Sequence, residues 1–255
     1  MVQSFFDIKG KRALVTGSTR GIGRSLAEGL AQAGALVFIN GRSQDSVDRV
    51  CRDFCREGYQ ASGKAFDICD SKSVTQAIHG IKEEYGSIDI LVNNAGIMKR
   101  EPLLSMPEAM WQSVIQTNLT SAFLVGKEVA SLMAQNEGGK IINICSLMSE
   151  VGRVSTGAYA AAKGGLKMLT KAMATEWASY DIQVNGIGPG YILTEMTQPL
   201  SEDMNFDAWL KKRTPARRWG KPSDLIGSLL FLASPASNFV NGQIIYVDGG
   251  ILASL

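Results

Sequence analysis

The chain is 255 residues long, carries a formal net charge of +2 and is 45% hydrophobic, which suits one large α/β domain with a well-buried core. Lysine plus arginine (26) nearly cancels aspartate plus glutamate (24), which leaves no electrostatic footprint for nucleic acid or a membrane surface. Four cysteines and one histidine exclude a secreted disulfide framework and give little basis for a metal site or a histidine-based triad.

The opening run MVQSFFDIKGKR has no basic segment ahead of a long apolar one, so no secretory leader is expected. No apolar run approaches the roughly 20 residues that span a bilayer. A reduced, cytoplasmic protein is expected. Arg12 to Thr16 (RALVT) predicts a strand, and TGSTRGIG follows at once. Helical spacing then begins at Ile22, Leu26 and Leu30, Gly34 closes the helix, and Ala35 to Ile39 predicts a second strand. This is a βαβ unit with glycines at 17, 21 and 23 in its first turn. Glycines there allow a tight turn and bring backbone N–H groups close to a diphosphate at the helix N-terminus.

The end of the second strand bears on which dinucleotide fits. An acid there would hydrogen-bond a ribose 2′-hydroxyl and favour NAD. The chain instead reads Asn40-Gly41-Arg42. Arg42, with Arg20 and Ser18 of the glycine turn, is placed to surround a 2′-phosphate, so NADP is expected ahead of NAD. Solvated surface charge is the other reading of the two arginines.

A charged helix near 45–57, a strand near 60–66 and a helix over 71–85 continue the alternation. Asp67, just past the strand, suits either an adenine amino group or a turn carboxylate. The next strand, Ile88 to Val92, runs into Asn93-Asn94-Ala95-Gly96, small and amide residues where open parallel sheets bind ligands. Pro107 then opens a long helix through about Gln135. Asn118 lies in its middle, a poor helical residue that suggests a polar task, although a solvated asparagine has the same spelling.

Ile141 to Ile144 is a short apolar strand ending on Ser146, and a loop then leads to a helix with Tyr159 and Lys163. A four-residue spacing puts both side chains on nearly one helical face. A lysine ammonium beside a phenol favours the phenolate and lowers its pKa. With a hydroxyl from Ser146, this is a proton-transfer constellation. A strand over 182–187, GPGY, an irregular segment over 192–219 suited to a substrate lid, a helix over 221–233 and a final strand over 243–247 complete the chain. The alternation indicates a single doubly wound α/β Rossmann-type domain over 1–255, with a mainly parallel sheet and helices on both faces.

Taken together, Thr16-Gly17-x3-Gly21-x-Gly23, Asn93-Asn94-Ala95-Gly96, Asn118, Ser146, Tyr159-x3-Lys163 and Pro189-Gly190 with Thr194 resemble the short-chain dehydrogenase/reductase family. The resemblance covers nearly the whole chain, in order and at family spacing. It implies a catalytic tetrad of Asn118, Ser146, Tyr159 and Lys163. Tyr159 would be the general acid/base, with Lys163 also binding the nicotinamide ribose, Ser146 fixing the carbonyl oxygen and Asn118 holding a water. It further implies a dinucleotide against Gly17, Ser18, Arg20, Gly21, Ile22, Gly23, Arg42, Asp67, Ile68, Asn94, Ala95, Gly96, Tyr159, Lys163, Pro189, Gly190, Ile192 and Thr194. The family is usually tetrameric, so a homotetramer is expected.

A closer resemblance, carried by INICS, AYAAAKGGLKMLTK, GIGPGY, RTPARRWG and FVNGQIIYVDGGI, is to members of the family that act on gluconate-type sugar acids. Such a substrate brings a carboxylate and several hydroxyls, and so asks for a cation and polar groups. Arg100 is the first candidate for that cation. Glu150 and Arg153 are candidates for the hydroxyls, and Tyr191 for a pocket wall, alongside Ser146 and Tyr159. Arg213, Arg217 and Arg218 are further candidates. The alternatives are a 3-oxoacyl thioester reductase of the same fold and a non-catalytic dinucleotide-binding module.

Overall fold

The computed structural model describes residues 2–254. A short helix, α1 (Val2–Phe5), precedes β1 (Arg12–Val15), α2 (Gly21–Gln32), β2 (Leu36–Gly41) and α3 (Gln44–Arg56). Then come β3 (Ala61–Ala65), α4 (Ser71–Tyr85) and β4 (Ile90–Asn93). The long central helix is α5 (Glu108–Ile115), a π-helical turn at Gln116–Thr120, and α6 (Ser121–Met133). After β5 (Gly139–Ile144) follow α7 (Gly157–Trp177), β6 (Ile182–Pro189), α8 (Gln198–Glu202), α9 (Met204–Arg213), α10 (Ile226–Ala233) and β7 (Ile244–Val247).

The seven strands form one sheet in the order β3-β2-β1-β4-β5-β6-β7, and every pairing is parallel. Alternate strand residues feed two cores. Val15, Val92, Ile142 and Ile187 pack with Leu26, Leu30, Leu229 and Leu232 on one face. Leu14, Leu91, Ile141 and Val184 pack with Ile78, Ile81, Val129, Met133 and Met173 on the other. Both faces are therefore covered, and the inner strands read as continuous apolar runs. Each fully buried aliphatic side chain contributes about 1.5–3 kcal/mol.

The chain winds outward in opposite directions from β1 and β4, which lie side by side. That reversal opens a crevice at the C-terminal strand ends, the binding position of doubly wound folds. Gly17, Asn94, Ser146 and Gly190 each follow one of the four central strands and so meet there.

Two elements depart from expectation. The long helix over 107–135 contains the π-helical turn, with Asn118 buried inside it. The segment 192–219, expected to be irregular, carries α8 and α9. Asp203 caps α9 by accepting the N–H groups of Asn205 and Phe206, and Lys211, Lys212 and Arg213 lie in its last turn, where cations suit the helix dipole. No described helix is long and apolar enough to cross a membrane.

Candidate active site

The glycine turn is built by close approach. Gly17 has φ +63°, and a Cβ on it would lie 2.9 Å from the Ala95 Cα. A Cβ on Gly23 would collide with the Gly17 carbonyl oxygen and the Asn94 amide. Asn94 explains the crowding: its Nδ2 donates to the carbonyls of Thr16 (2.9 Å) and Gly17 (3.2 Å), binding the loop after β4 to the turn after β1. Thr16 Oγ1 accepts the N–H groups of Asn94 and Ala95 at 3.0 and 3.1 Å. Arg20, at the N-cap of α2, gives no side-chain cap, so the first N–H groups of that helix keep their capacity for an anion.

Arg20 and Arg42 are both exposed and take part in no ion pair among the described residues. Ser18 does not join them. It is fully buried, its Oγ donates to the Val15 carbonyl (2.8 Å) and accepts the Asn40 N–H (2.9 Å), and so it is a strut between β1 and β2. Asn40, near the end of β2, is equally committed. Its Oδ1 accepts the Gly17 N–H and its Nδ2 donates to the carbonyls of Lys64 and Phe66. Asp67 is a turn carboxylate, with Oδ1 accepting the Cys69 N–H at 2.9 Å, and Ile68 beside it is buried. Ile22 packs partly against the core next to the turn. Gly190 donates its N–H to Val247 (2.9 Å), and a Cβ there would lie 2.7 Å from the Asp248 Cα. Thr194 turns its N–H to Thr197 Oγ1 (2.9 Å), and Ile192 is buried and bridges to Gly220.

The four residues expected as a tetrad come from three elements. Asn118 is buried in the π-helical turn; its Oδ1 accepts the Ile97 N–H (2.7 Å) and its Nδ2 donates to the Ile97 carbonyl (2.8 Å). One donor and one acceptor of the amide are thus used to hold the segment after Gly96, from within the wider π turn. Ser146 caps a short 3₁₀ turn (Leu147–Ser149), its Oγ accepting the Met148 N–H at 3.2 Å. Lys163 is buried, donates from Nζ to the Ile144 carbonyl at 2.5 Å, and lies 5.8 Å from the Tyr159 ring centroid. Burial lowers the lysine pKa to about 8. The expected depression of the tyrosine is not seen: burial raises the Tyr159 pKa, and the Ser146 hydroxyl only partly opposes this.

Beyond Ser146, the structure brings Arg100, Arg153 and Tyr191 together. Burial lowers the Arg100 pKa first, and the nearby Arg153 charge adds to this. Arg153 donates to the Tyr191 hydroxyl at 3.3 Å, and its guanidinium lies 4.6 Å from the Phe206 ring centroid. The Glu101 N–H donates to the Ser155 carbonyl (3.0 Å), tying the two arginine-bearing loops to each other. Neither arginine is in an ion pair among the described residues.

Glu150 does not face this cluster. Its carboxylate is paired with Lys167 (2.5 Å) and accepts the Tyr246 hydroxyl (2.5 Å), which hold it well below the usual carboxylate range. Arg213 is likewise committed, to Ser254, and Arg218 to Asp224, while Arg217 is exposed at a φ of +55°. The aromatic wall was not foreseen beyond Tyr191. Phe206, Trp209 and Trp219 ring it at centroid distances of 5.6, 6.2 and 6.0 Å. No short-range pattern marks Phe206 or Trp219 for that wall. All four cysteines are free, and among the described residues no His, Cys, Asp and Glu group is placed to hold a metal ion.

A family model described as enoyl-(acyl carrier protein) reductase matches residues 17–252. A 2-dehydro-3-deoxy-D-gluconate 5-dehydrogenase of Formosa agariphila is 53% identical, over 100% of this chain and 97% of its own length. A gluconate 5-dehydrogenase of Gluconobacter oxydans is 48% identical, over 98% of each chain. Among solved structures, a gluconate 5-dehydrogenase from Burkholderia cenocepacia J2315, in complex with NADP and tartrate, is 46% identical, covers 100% of both chains and gives a TM-score of 0.98. With the glycine turn and Tyr159-x3-Lys163 meeting at one crevice, and likeness of this order along its whole length, the chain belongs to the short-chain dehydrogenase/reductase family.

Proposed function

We propose that the chain is an NADP(H)-dependent oxidoreductase that interconverts a ketone and a secondary alcohol on a sugar acid, with 5-keto-D-gluconate and D-gluconate as the pair. The observation that carries this reading is the pair of guanidiniums, Arg100 and Arg153, without carboxylate partners beside Tyr191 and one loop from Tyr159. A substrate carboxylate satisfies both charges. The relatives named for a 5-dehydrogenase activity on gluconate or its 2-dehydro-3-deoxy form support a sugar acid and put the redox carbon at position 5. A 3-oxoacyl thioester has no carboxylate for this cluster.

The crowded turn at Gly17 and Gly23, the uncapped start of α2 and the unpaired Arg20 and Arg42 fit NADP(H). When bound, the cofactor supplies a hydride to the ketone carbon. Tyr159 gives a proton to the ketone oxygen and takes it back from the alcohol in the reverse direction. Ser146 already accepts the Met148 N–H, which leaves its own proton for that oxygen. Lys163 places positive charge beside the phenol as its proton leaves. Asn118 holds Ile97 and so fixes the floor after Gly96. Such acid–base assistance contributes about 10² to 10⁴ in rate.

Residues 192–219 serve as the lid. They are pinned at the base, where Leu193 donates to the Gly220 carbonyl (2.8 Å) and Gly220 to the Tyr191 carbonyl (2.9 Å). A cytoplasmic homotetramer completes the reading. The open edge of β7 and the exposed Phe123 (44%) on α6 and Met168 (60%) on α7 support burial against further copies. The test is oxidation of NADPH and NADH against 5-keto-D-gluconate, 2-ketogluconate, fructose and an acetoacetyl thioester. Turnover of the keto-sugar acids with NADPH is expected, with tartrate competing; preference for the thioester would overturn the substrate assignment.

A further inference from the structure

The segment between Ile144 and Ser149 is laced to α7 at two points, and both use Lys163. Its ammonium donates to the Ile144 carbonyl at 2.5 Å. Its main-chain carbonyl accepts the Ser149 hydroxyl at 2.8 Å. Ser146 sits between the two anchors. The same Ser149 oxygen accepts the Ser146 N–H at 3.3 Å, and the Ser149 N–H donates to the Ser146 carbonyl at 3.0 Å. Ser149 therefore holds the backbone of Ser146 at both its N–H and its carbonyl while tying it to the helix that carries Tyr159.

We propose that Ser149 is a positioning residue that sets Ser146 against Tyr159 for proton transfer. The proposal rests on the reading of Ser146, Tyr159 and Lys163 as the reacting site. Its physical basis is the chemistry of a hydroxyl, which donates once and accepts at the same time. A single oxygen thus links the N-cap of the 3₁₀ turn to a carbonyl of α7, a reciprocal cap used across two elements. An alanine leaves both the Ser146 N–H and the bridge without this partner, while the turn keeps its other backbone bonds. Ser146 then loses its fixed distance from the phenol. Misplacement of a reacting group by about 1 Å costs roughly 10²-fold in rate.

The test uses the full-length protein with NADPH and 5-keto-D-gluconate. Wild type and Tyr159→Phe come first: turnover in the former and its loss in the latter establish the reacting site, and any other result removes that reading before Ser149 is judged. Ser149→Ala is then expected to lower kcat by about 10- to 100-fold, with NADPH affinity by fluorescence titration unchanged within about twofold. In a Ser146→Ala background, Ser149→Ala is expected to add almost nothing, because it acts through Ser146. Full multiplicative loss in that background, or an unchanged kcat in the single variant, would overturn the proposal. Ser149→Thr and Ser149→Val are nearly the same shape and separate the hydroxyl from folding effects. Recovery of rate in Thr but not Val supports the assignment, and equal rates in the two contradict it.

Discussion

Lys163 lies 5.8 Å from the Tyr159 ring centroid with its charge turned to the Ile144 carbonyl, and burial brings its pKa to about 8. Its ammonium is therefore present below about pH 8 and lost above it, whereas Tyr159, raised by burial, stays protonated through that range. The reductive kcat is expected to fall as pH passes about 8, and Lys163→Arg, which keeps its charge, is expected to remove that limb. A flat profile across that range would contradict the assignment. At the cofactor end, Arg42→Ala is expected to raise the NADPH Michaelis constant by roughly 10- to 100-fold while moving that of NADH less than about threefold, since only the former carries the 2′-phosphate. Equal shifts would remove Arg42 from the phosphate site. Arg100→Ala and Arg153→Ala are each expected to raise the Michaelis constant for the keto acid by roughly 10-fold or more, with NADPH affinity kept. Tyr159 and Lys163 could be singled out in the sequence because a four-residue spacing puts them on one helical face, and Arg100 and Arg153 as candidates because a sugar-acid substrate asks for cations. Glu150 was not, since its partner Tyr246 is 96 residues away and no local pattern announces that pairing.

At the scale of elements, the βα junctions carry the candidate site, and the glycine turn is the least forgiving of them. A side chain at Gly23 must push the Gly17 carbonyl and the Asn94 amide apart, and those two groups join the turn after β1 to the loop after β4. Gly23→Ala is expected to cost about 1–3 kcal/mol of stability, read by denaturant titration, and at least about tenfold in NADPH affinity. The strands and most helices could be read from apolar runs, caps and period. The π-helical turn could not, because one extra backbone residue per turn leaves no hydrophobic signature; the awkward Asn118 was its only trace. The helices of 192–219 were hidden for a different reason. They are short and half-exposed, and the buried stripe that identifies longer helices is reduced to Leu210 in α9.

For the whole molecule, the parallel sheet places the candidate reacting groups at one end and a second buried lysine near the other. Lys140, at the start of β5, is 9% exposed and donates to Gln183 (2.6 Å) and Asn238 (2.7 Å), with burial lowering its pKa to about 8. Folded, it holds a proton less tightly than the unfolded chain does at 10.5, so between about pH 8 and 10.5 the unfolded state binds more protons and folding stability from this group rises with pH. Wild type is therefore expected to gain stability relative to Lys140→Met across that window in denaturant titrations, and a constant difference would contradict it. The doubly wound topology itself was readable from the strand–helix alternation, while the strand ends that meet at the crevice required the sheet order. The most direct test of the account is NADPH oxidation with 5-keto-D-gluconate by wild type and Tyr159→Phe, alongside NADPH binding to both. Turnover by the wild type, its loss in the variant and equal binding are predicted; undiminished turnover by Tyr159→Phe would contradict the proton-transfer site on which everything else depends.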